Sequence, residues 1–176
     1  MTRSEQRART HQTLLDATVR CLVDFGYAGT TTQRVQERAG VSRGALLHHF
    51  GSKADLFVAA IHYIAEQQLA QVRLAGADSR RQLVTALREA MSGPLFLAGL
   101  ELWLGARTDP ALRAALLPAE RELGRELRSA FESTGDDRVG YESLLMVLRG
   151  LALTSILRDD TTVADAVVDR WFDRLG

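Results

Sequence analysis

Residues 31–55 read TTQRVQERAGVSRGALLHHFGSKAD, and this stretch decides the fold. The Thr30-Thr31-Thr32 run offers hydroxyls that cap a helix over about Gln33 to Ala39, with Val35 and Ala39 on one face. Gly40 supplies the stop, because glycine alone enters left-handed backbone without a steric penalty. Ser42 caps a second helix two residues later, which leaves the chain room only for a sharp turn. That is the spacing of a helix-turn-helix, whose second helix enters the major groove of DNA. Ser52 with Asp55 forms a capping pair for the next, longer helix.

The chemistry left facing outward agrees with nucleic acid. With Val41, Leu46 and Phe50 inward, the outer face carries Arg43, Gly44, Ala45, Leu47, His48 and His49. Gly44 and Ala45 are small enough to let backbone approach base edges. Arg43 is suited to the bidentate guanine contact that is the commonest specific reading in the major groove. His49 and Lys53 stand where phosphates would pass, Lys53 in the first turn of the helix that Ser52 caps, where free backbone N–H groups also favour an anion.

Overall charge is zero across 176 residues, which argues against a generic polyanion binder, but the charge is unevenly divided. Residues 1–54 hold eight basic residues against four acidic ones, a net +4, and the remainder is net −4. A basic N-terminal third on an acidic body points to nucleic acid at one end and another partner at the other. The single cysteine, Cys21, excludes an internal disulfide and a thiolate metal cluster, and its helical spacing from Thr18 and Phe25 marks it as a core residue. No apolar run approaches the ~20 residues needed to cross a bilayer, and the polar start TRSEQRART lacks the pattern of a signal peptide. The expectation is a soluble cytoplasmic protein without a cofactor.

Periodicity elsewhere is helical throughout, giving about nine helices in an all-α chain. The first runs from about Ser4 to Phe25, with Leu14, Leu15, Thr18, Cys21, Leu22 and Phe25 inward, and Gly26 ends it. The fourth runs from Lys53 to about Leu74, and Gly76-Ala77-Asp78 is the boundary between two domains. Ser79 with Gln82 starts the fifth helix; Gly93-Pro94 breaks the pattern before an apolar sixth; Asp109-Pro110 starts a seventh, bent near Pro118. A polar loop over Glu132 to Arg138 precedes helices over roughly Tyr141 to Leu157 and Thr162 to Leu175. The eighth helix is apolar all round and therefore needs cover on two sides, one the core and the other a second subunit. The buried seam expected between subunits is Leu148, Leu151, Val167 and Trp171.

The stretch AGVSRGALLHHFGSKADL, within a match from about Thr10 to Tyr63, resembles the TetR family of bacterial transcriptional repressors. The resemblance implies an N-terminal three-helix DNA-binding domain at 8–68, with its helix-turn-helix at about 31–50. It also implies an effector-binding and dimerisation domain at 76–176, a homodimer through helices eight and nine, and a small-molecule pocket. By the same resemblance, Thr32 is a phosphate contact and Gln33 a base-edge or backbone contact. Ser42 caps the reading helix, Arg43, Gly44 and Ala45 read the groove, His48 and His49 lie beside the backbone, and Lys53 binds phosphate. Leu47 departs from the family's usual tyrosine; leucine cannot donate to a phosphate, and a thymine methyl is its possible partner. Gln36 likewise replaces a small alanine.

The function expected is a ligand-responsive repressor whose two reading helices, held about 34–36 Å apart, meet a palindromic DNA operator in successive major grooves. The expected pocket residues are Leu87, Met91, Phe96, Leu100, Trp103, Leu127, Phe131 and Met146, and their apolar character favours an apolar or aromatic effector. A helical-bundle enzyme or metalloprotein would need paired Glu-x-x-His motifs on inner faces. The chain has none, so no catalytic or metal residue is expected. A helix-turn-helix that binds protein rather than DNA is the remaining alternative.

Overall fold

The computed structural model describes residues 2–74, 79–132, 138–158 and 162–175, and these form nine α-helices with no strand among them. In order they are α1 (Arg3–Gly29), α2 (Thr32–Ala39), α3 (Arg43–His49), α4 (Lys53–Leu74), α5 (Arg80–Ala90), α6 (Pro94–Ala106), α7 (Pro110–Glu132), α8 (Arg138–Ser155) and α9 (Thr162–Leu175). The expected boundary at Gly76-Ala77-Asp78 and the loop residues 133–137 lie outside the described residues. Gly26, at φ 67° and ψ 178°, interrupts α1 where the sequence placed its end, and one further turn follows to Gly29. The Ser79 hydroxyl accepts from the Gln82 N–H at 3.3 Å and starts α5. α7 runs through Pro118 as one helix.

Packing groups the helices into two compact units, Met1–Gln68 with Gly93–Leu123, and Leu69–Ser92 with Gly124–Gly176. In the first unit α1 and α4 are each apolar on two faces. One face of each joins Val35, Leu46 and Phe50 in a core of Leu14, Leu15, Ala17, Cys21, Leu56 and Ala60. The other face, Val19 and Leu22 on α1 with Phe57, Ile61 and Ile64 on α4, packs on Ala98, Leu102 and Ala106 of α6 and on Leu112 and Leu116 of α7. Helix α3, with only 7 residues, is too short to persist alone. Leu46 and Phe50, at 1% and 4% exposure, tie it to that core.

The second unit buries Leu83, Val84 and Leu87 of α5, Leu127 and Phe131 of α7, Tyr141, Leu144, Leu145 and Leu148 of α8, and Val168 of α9. Phe131 packs on Tyr141 and Trp171 with ring centroids 5.8 and 6.3 Å away. The Tyr141 hydroxyl donates to the Gly124 carbonyl at 3.3 Å. Arg73 pairs with Glu126 at 2.8 Å and Arg81 with Asp169 at 3.4 Å, both at the surface, where such pairs contribute at most ~1 kcal/mol each.

Four expectations about side-chain direction need correction. Leu148 was expected in a seam between subunits, but at 2% exposure it is part of the protomer's own core. Met146 was expected to line a pocket, but at 71% exposure it points away from that core. Phe25 was expected inward and is exposed, with the Arg34 and Arg38 guanidiniums over its ring at 4.5 and 5.3 Å. Trp171 is half-buried rather than free for a seam. Its Nε1 donates to Ser143 Oγ at 3.1 Å, and Arg80 stacks on its ring at 5.0 Å.

Candidate nucleic-acid interface

The local chemistry read from the sequence sets the geometry of the turn. Thr31 is the cap of α2, its hydroxyl accepting from the Arg34 N–H at 3.2 Å, so Thr32 is the first residue of the helix. Gly40 sits at φ 66° and ψ 32°, and a Cβ there would meet nothing within 4 Å. Backbone conformation alone therefore requires glycine at this position. The Val41 N–H closes the turn onto the Gln36 carbonyl at 3.1 Å. Ser42 Oγ then accepts from the Ala45 N–H at 3.1 Å and starts α3. Ser52 Oγ accepts from the Asp55 N–H at 3.1 Å and donates to the Asp55 carboxylate at 2.8 Å, starting α4.

This arrangement leaves the expected face of α3 open. Arg43, Gly44, Leu47 and His48 are exposed, and Ala45 and His49 are half-buried. A Cβ at Gly44 would touch only Ser42 Oγ, at 3.9 Å, so the helix is bare there. Leu47 is 47% exposed and lies on this otherwise polar face. Gln33 is exposed with its amide donating to Glu37 at 2.9 Å. Arg38 is ion-paired to Asp24 on α1, and Arg34 donates to the Gly29 carbonyl, so both are tied to the scaffold. Lys53 is exposed and makes no ion pair among the described residues.

His49 turns part of its ring toward α1, 5.9 Å from the His11 ring and 6.3 Å from that of Phe50. Burial, then the nearby His11, His48 and Arg7, hold its pKa below the ordinary 6.5. The unfolded chain therefore takes up this proton first as pH falls, and His49 favours folding above pH 6.5 and loses that contribution below it. Thermal melts between pH 7.5 and 5.5 are expected to show a smaller drop in midpoint for His49→Gln than for the parent. An equal drop in the two proteins would place the proton elsewhere.

Behind the interface lies a group of residues that the motif did not single out. The Tyr27 hydroxyl donates to Asp109 Oδ2 at 2.7 Å, and its backbone N–H donates to Glu101 Oε2 at 3.2 Å. Burial and the Asp109 carboxylate push the Tyr27 phenol up to about 12. Asp109 is held below the usual carboxylate range by the Leu112 N–H first, then by the Tyr27 hydroxyl, with Lys53 a smaller contribution. The aromatic directly after the Gly26 stop was the only sequence signal for this link.

The expected pocket residues divide between the units. Phe96, Leu100 and Trp103 belong to the first, while Leu87, Met91, Leu127, Phe131 and Met146 belong to the second. Trp103 lines a cleft of about 350 Å³ with Arg107, Arg113, Leu116 and Leu117, and its indole donates to Glu120 at 2.8 Å. Leu87, Met91, Phe96, Leu127 and Phe131 are buried side chains. Among the described residues no helix is long and apolar enough to cross a membrane.

Comparison with known proteins places this interface in context. Residues 14–60 match the family described as bacterial regulatory proteins, tetR family. The HTH-type transcriptional repressor AcnR of Corynebacterium efficiens is 32% identical over 136 residues, covering 75% of this chain and 69% of that protein. AcnR of Corynebacterium glutamicum is 33% identical over 128 residues, 70% of this chain, and the chain spans 65% of that relative's length. A TetR-family transcriptional regulator from Rhodococcus sp. has the same fold, with a TM-score of 0.77 at 24% identity over 96% of this chain and 98% of that one. The multidrug binding protein EbrR, solved with ethidium, matches with a TM-score of 0.65 at 28% identity over 92% of this chain and 97% of that chain. The AcnR relatives are transcriptional repressors rather than enzymes, and the chain belongs to the TetR family of bacterial regulatory proteins.

Proposed function

We propose that the protein is a cytoplasmic transcriptional repressor that binds a palindromic operator as a homodimer and is released by a small, mostly apolar effector. The observation that carries the reading is the bare face of α3, Arg43, Gly44, Leu47 and His48, on a helix anchored by Leu46 and Phe50. A rigidly held short helix with exposed base-reading groups is what major-groove recognition requires. Leu47 suits a thymine methyl, and Thr32, Gln33, His49 and Lys53 suit the flanking backbone. The repressors among the relatives support the direction of regulation, and EbrR with ethidium supports an aromatic effector. In this reading residues 8–68 carry DNA binding and 76–176 carry effector binding and dimerisation.

The dimer seam of this proposal follows the apolar side chains that α8 and α9 leave uncovered. Val139, Met146 and Leu153 on α8 are 74%, 71% and 47% exposed, and Leu157, just past its end, is 90% exposed. Val139, Met146 and Leu153 repeat at seven-residue intervals along one face, with the exposed Gly150 between the last two, the spacing of a helix–helix seam. Val163 and Val167 on α9 add to the exposed apolar surface, and half-buried Leu151 stands at its border. Such a stripe on a soluble protein marks an association surface.

The test is selection of bound duplexes from fragments of the source genome, followed by titration of the selected fragment at several salt concentrations. Binding that weakens steeply with salt, and an inverted repeat in the selected fragments, are expected. Lys53→Ala should weaken binding to all sequences alike and shallow the salt slope by roughly one unit per subunit. Failure to select any duplex would favour a protein-binding module instead.

A further inference from the structure

The last turn of α1 holds an aromatic anchor, Tyr27, which ties it to α6 and to the start of α7. The break at Gly26 leaves the Tyr27 N–H free of the helix, and Glu101 of α6 accepts it. Asp109, which accepts the Tyr27 hydroxyl, also caps α7 by accepting from the N–H groups of Ala111 and Leu112, each at 3.0 Å. Between these two hydrogen bonds the ring passes against Gly105. A Cβ at Gly105 would lie 2.5 Å from Tyr27 Cδ1 and 2.7 Å from its Cγ, so the ring occupies space that any other residue would fill.

The opposite side of this anchor meets the phosphate-facing end of α4. The Tyr27 and Phe57 rings stand 5.1 Å apart. The Lys53 ammonium lies over both, 5.7 Å from the centre of the Tyr27 ring and 5.1 Å from that of Phe57. An ammonium over an aromatic face is held by the ring's negative potential yet keeps its N–H donors for water or phosphate. A lysine otherwise pays rotamer entropy to hold its ammonium at a phosphate, and a fixed aromatic floor lowers that cost.

We infer that Tyr27 is a positioning residue for Lys53, and that the corner between α6 and α7, through Glu101, Gly105 and Asp109, sets where that ammonium stands. Any displacement of the corner is then passed to a DNA contact through one side chain. This inference rests on the reading of Lys53 as a phosphate contact, and the two can fail separately.

Lys53 is the only lysine in the chain, which supplies a direct probe. Reductive methylation with ¹³C formaldehyde keeps the charge and labels one side chain, whose resonance in the free protein reports the two rings above which it lies. Tyr27→Leu and Gly105→Ala are expected to move that resonance toward the value of an unstructured lysine. Tyr27→Phe, which keeps the ring and loses the Asp109 bond, is expected to move it part of the way. On the duplex recovered by selection, Tyr27→Leu and Gly105→Ala should each lower affinity about three- to tenfold, in line with the strength of a cation–π contact. Neither should lower affinity further once Lys53→Ala is present. Additive losses, or a resonance that does not move in Tyr27→Leu, would overturn the inference. If Lys53→Ala itself leaves affinity and salt slope unchanged, the phosphate reading falls, while the resonance still decides whether Tyr27 holds Lys53.

Discussion

Met146→Glu combined with Leu153→Glu is expected to yield folded monomers that have lost operator binding by a hundredfold to a thousandfold. Both side chains are exposed in the protomer, at 71% and 47%, so adding charge there removes no packing from its core. Two glutamates on each face of a helix–helix seam would meet their partners' copies in a desolvated space, which costs several kcal/mol. The DNA consequence follows from losing one half-site. A specific complex is typically ~4–10 kcal/mol tighter than non-specific binding, so half of that margin is ~2–5 kcal/mol. Light scattering at micromolar protein gives the mass, and circular dichroism checks that the helices persist. Leu148→Glu is the contrasting variant: at 2% exposure it places a charge in the core and should unfold the second unit rather than separate subunits. A double variant that stays dimeric would move the seam off this stripe.

Arg43→Ala is expected to have an effect of comparable size, and to have it at one place in each half-site. Arg43 is the first residue of α3, exposed beside the bare Gly44, and no hydrogen bond commits it within the chain among the described residues. A bidentate arginine–guanine pair discriminates by ~1–3 kcal/mol against the wrong base. With two half-sites, the loss amounts to ~2–6 kcal/mol for the dimer. Affinities measured on operator variants should show that the substitution erases the preference for guanine at one position per half-site. Uniform weakening across all variants would instead make Arg43 a phosphate contact.

How much of this was legible in the sequence depends on the range of the forces involved. The caps at Ser42 and Ser52, the left-handed Gly40 and the inward Leu46 and Phe50 were all readable. The caps and Gly40 are each fixed by a partner within five residues, since hydroxyl capping or glycine geometry has one local solution, and helical spacing alone puts Leu46 and Phe50 on one face. The direction of α8 was not readable. A helix apolar on every side offers no polar face to phase it, so Leu148 was placed outside and Met146 inside, the reverse of what packing shows. Phe25 misled for a related reason: an aromatic at core spacing was assigned to the core, whereas two arginines on α2 cover it at the surface. The Tyr27 anchor lay beyond reach because its partners are 74 and 82 residues away, and only the folded chain brings Glu101 and Asp109 to it.

In the proposed complex α3 reads base edges in the major groove at two equivalent half-sites. Methylation interference at guanine N7 on the selected duplex tests this directly, because that atom faces only the major groove. Interference is expected at one guanine in each of two inverted half-sites, centred one helical turn or a whole multiple of it apart. Arg43→Ala is expected to remove that interference at both. Interference at no guanine, or the same pattern in the Arg43→Ala protein, would contradict it.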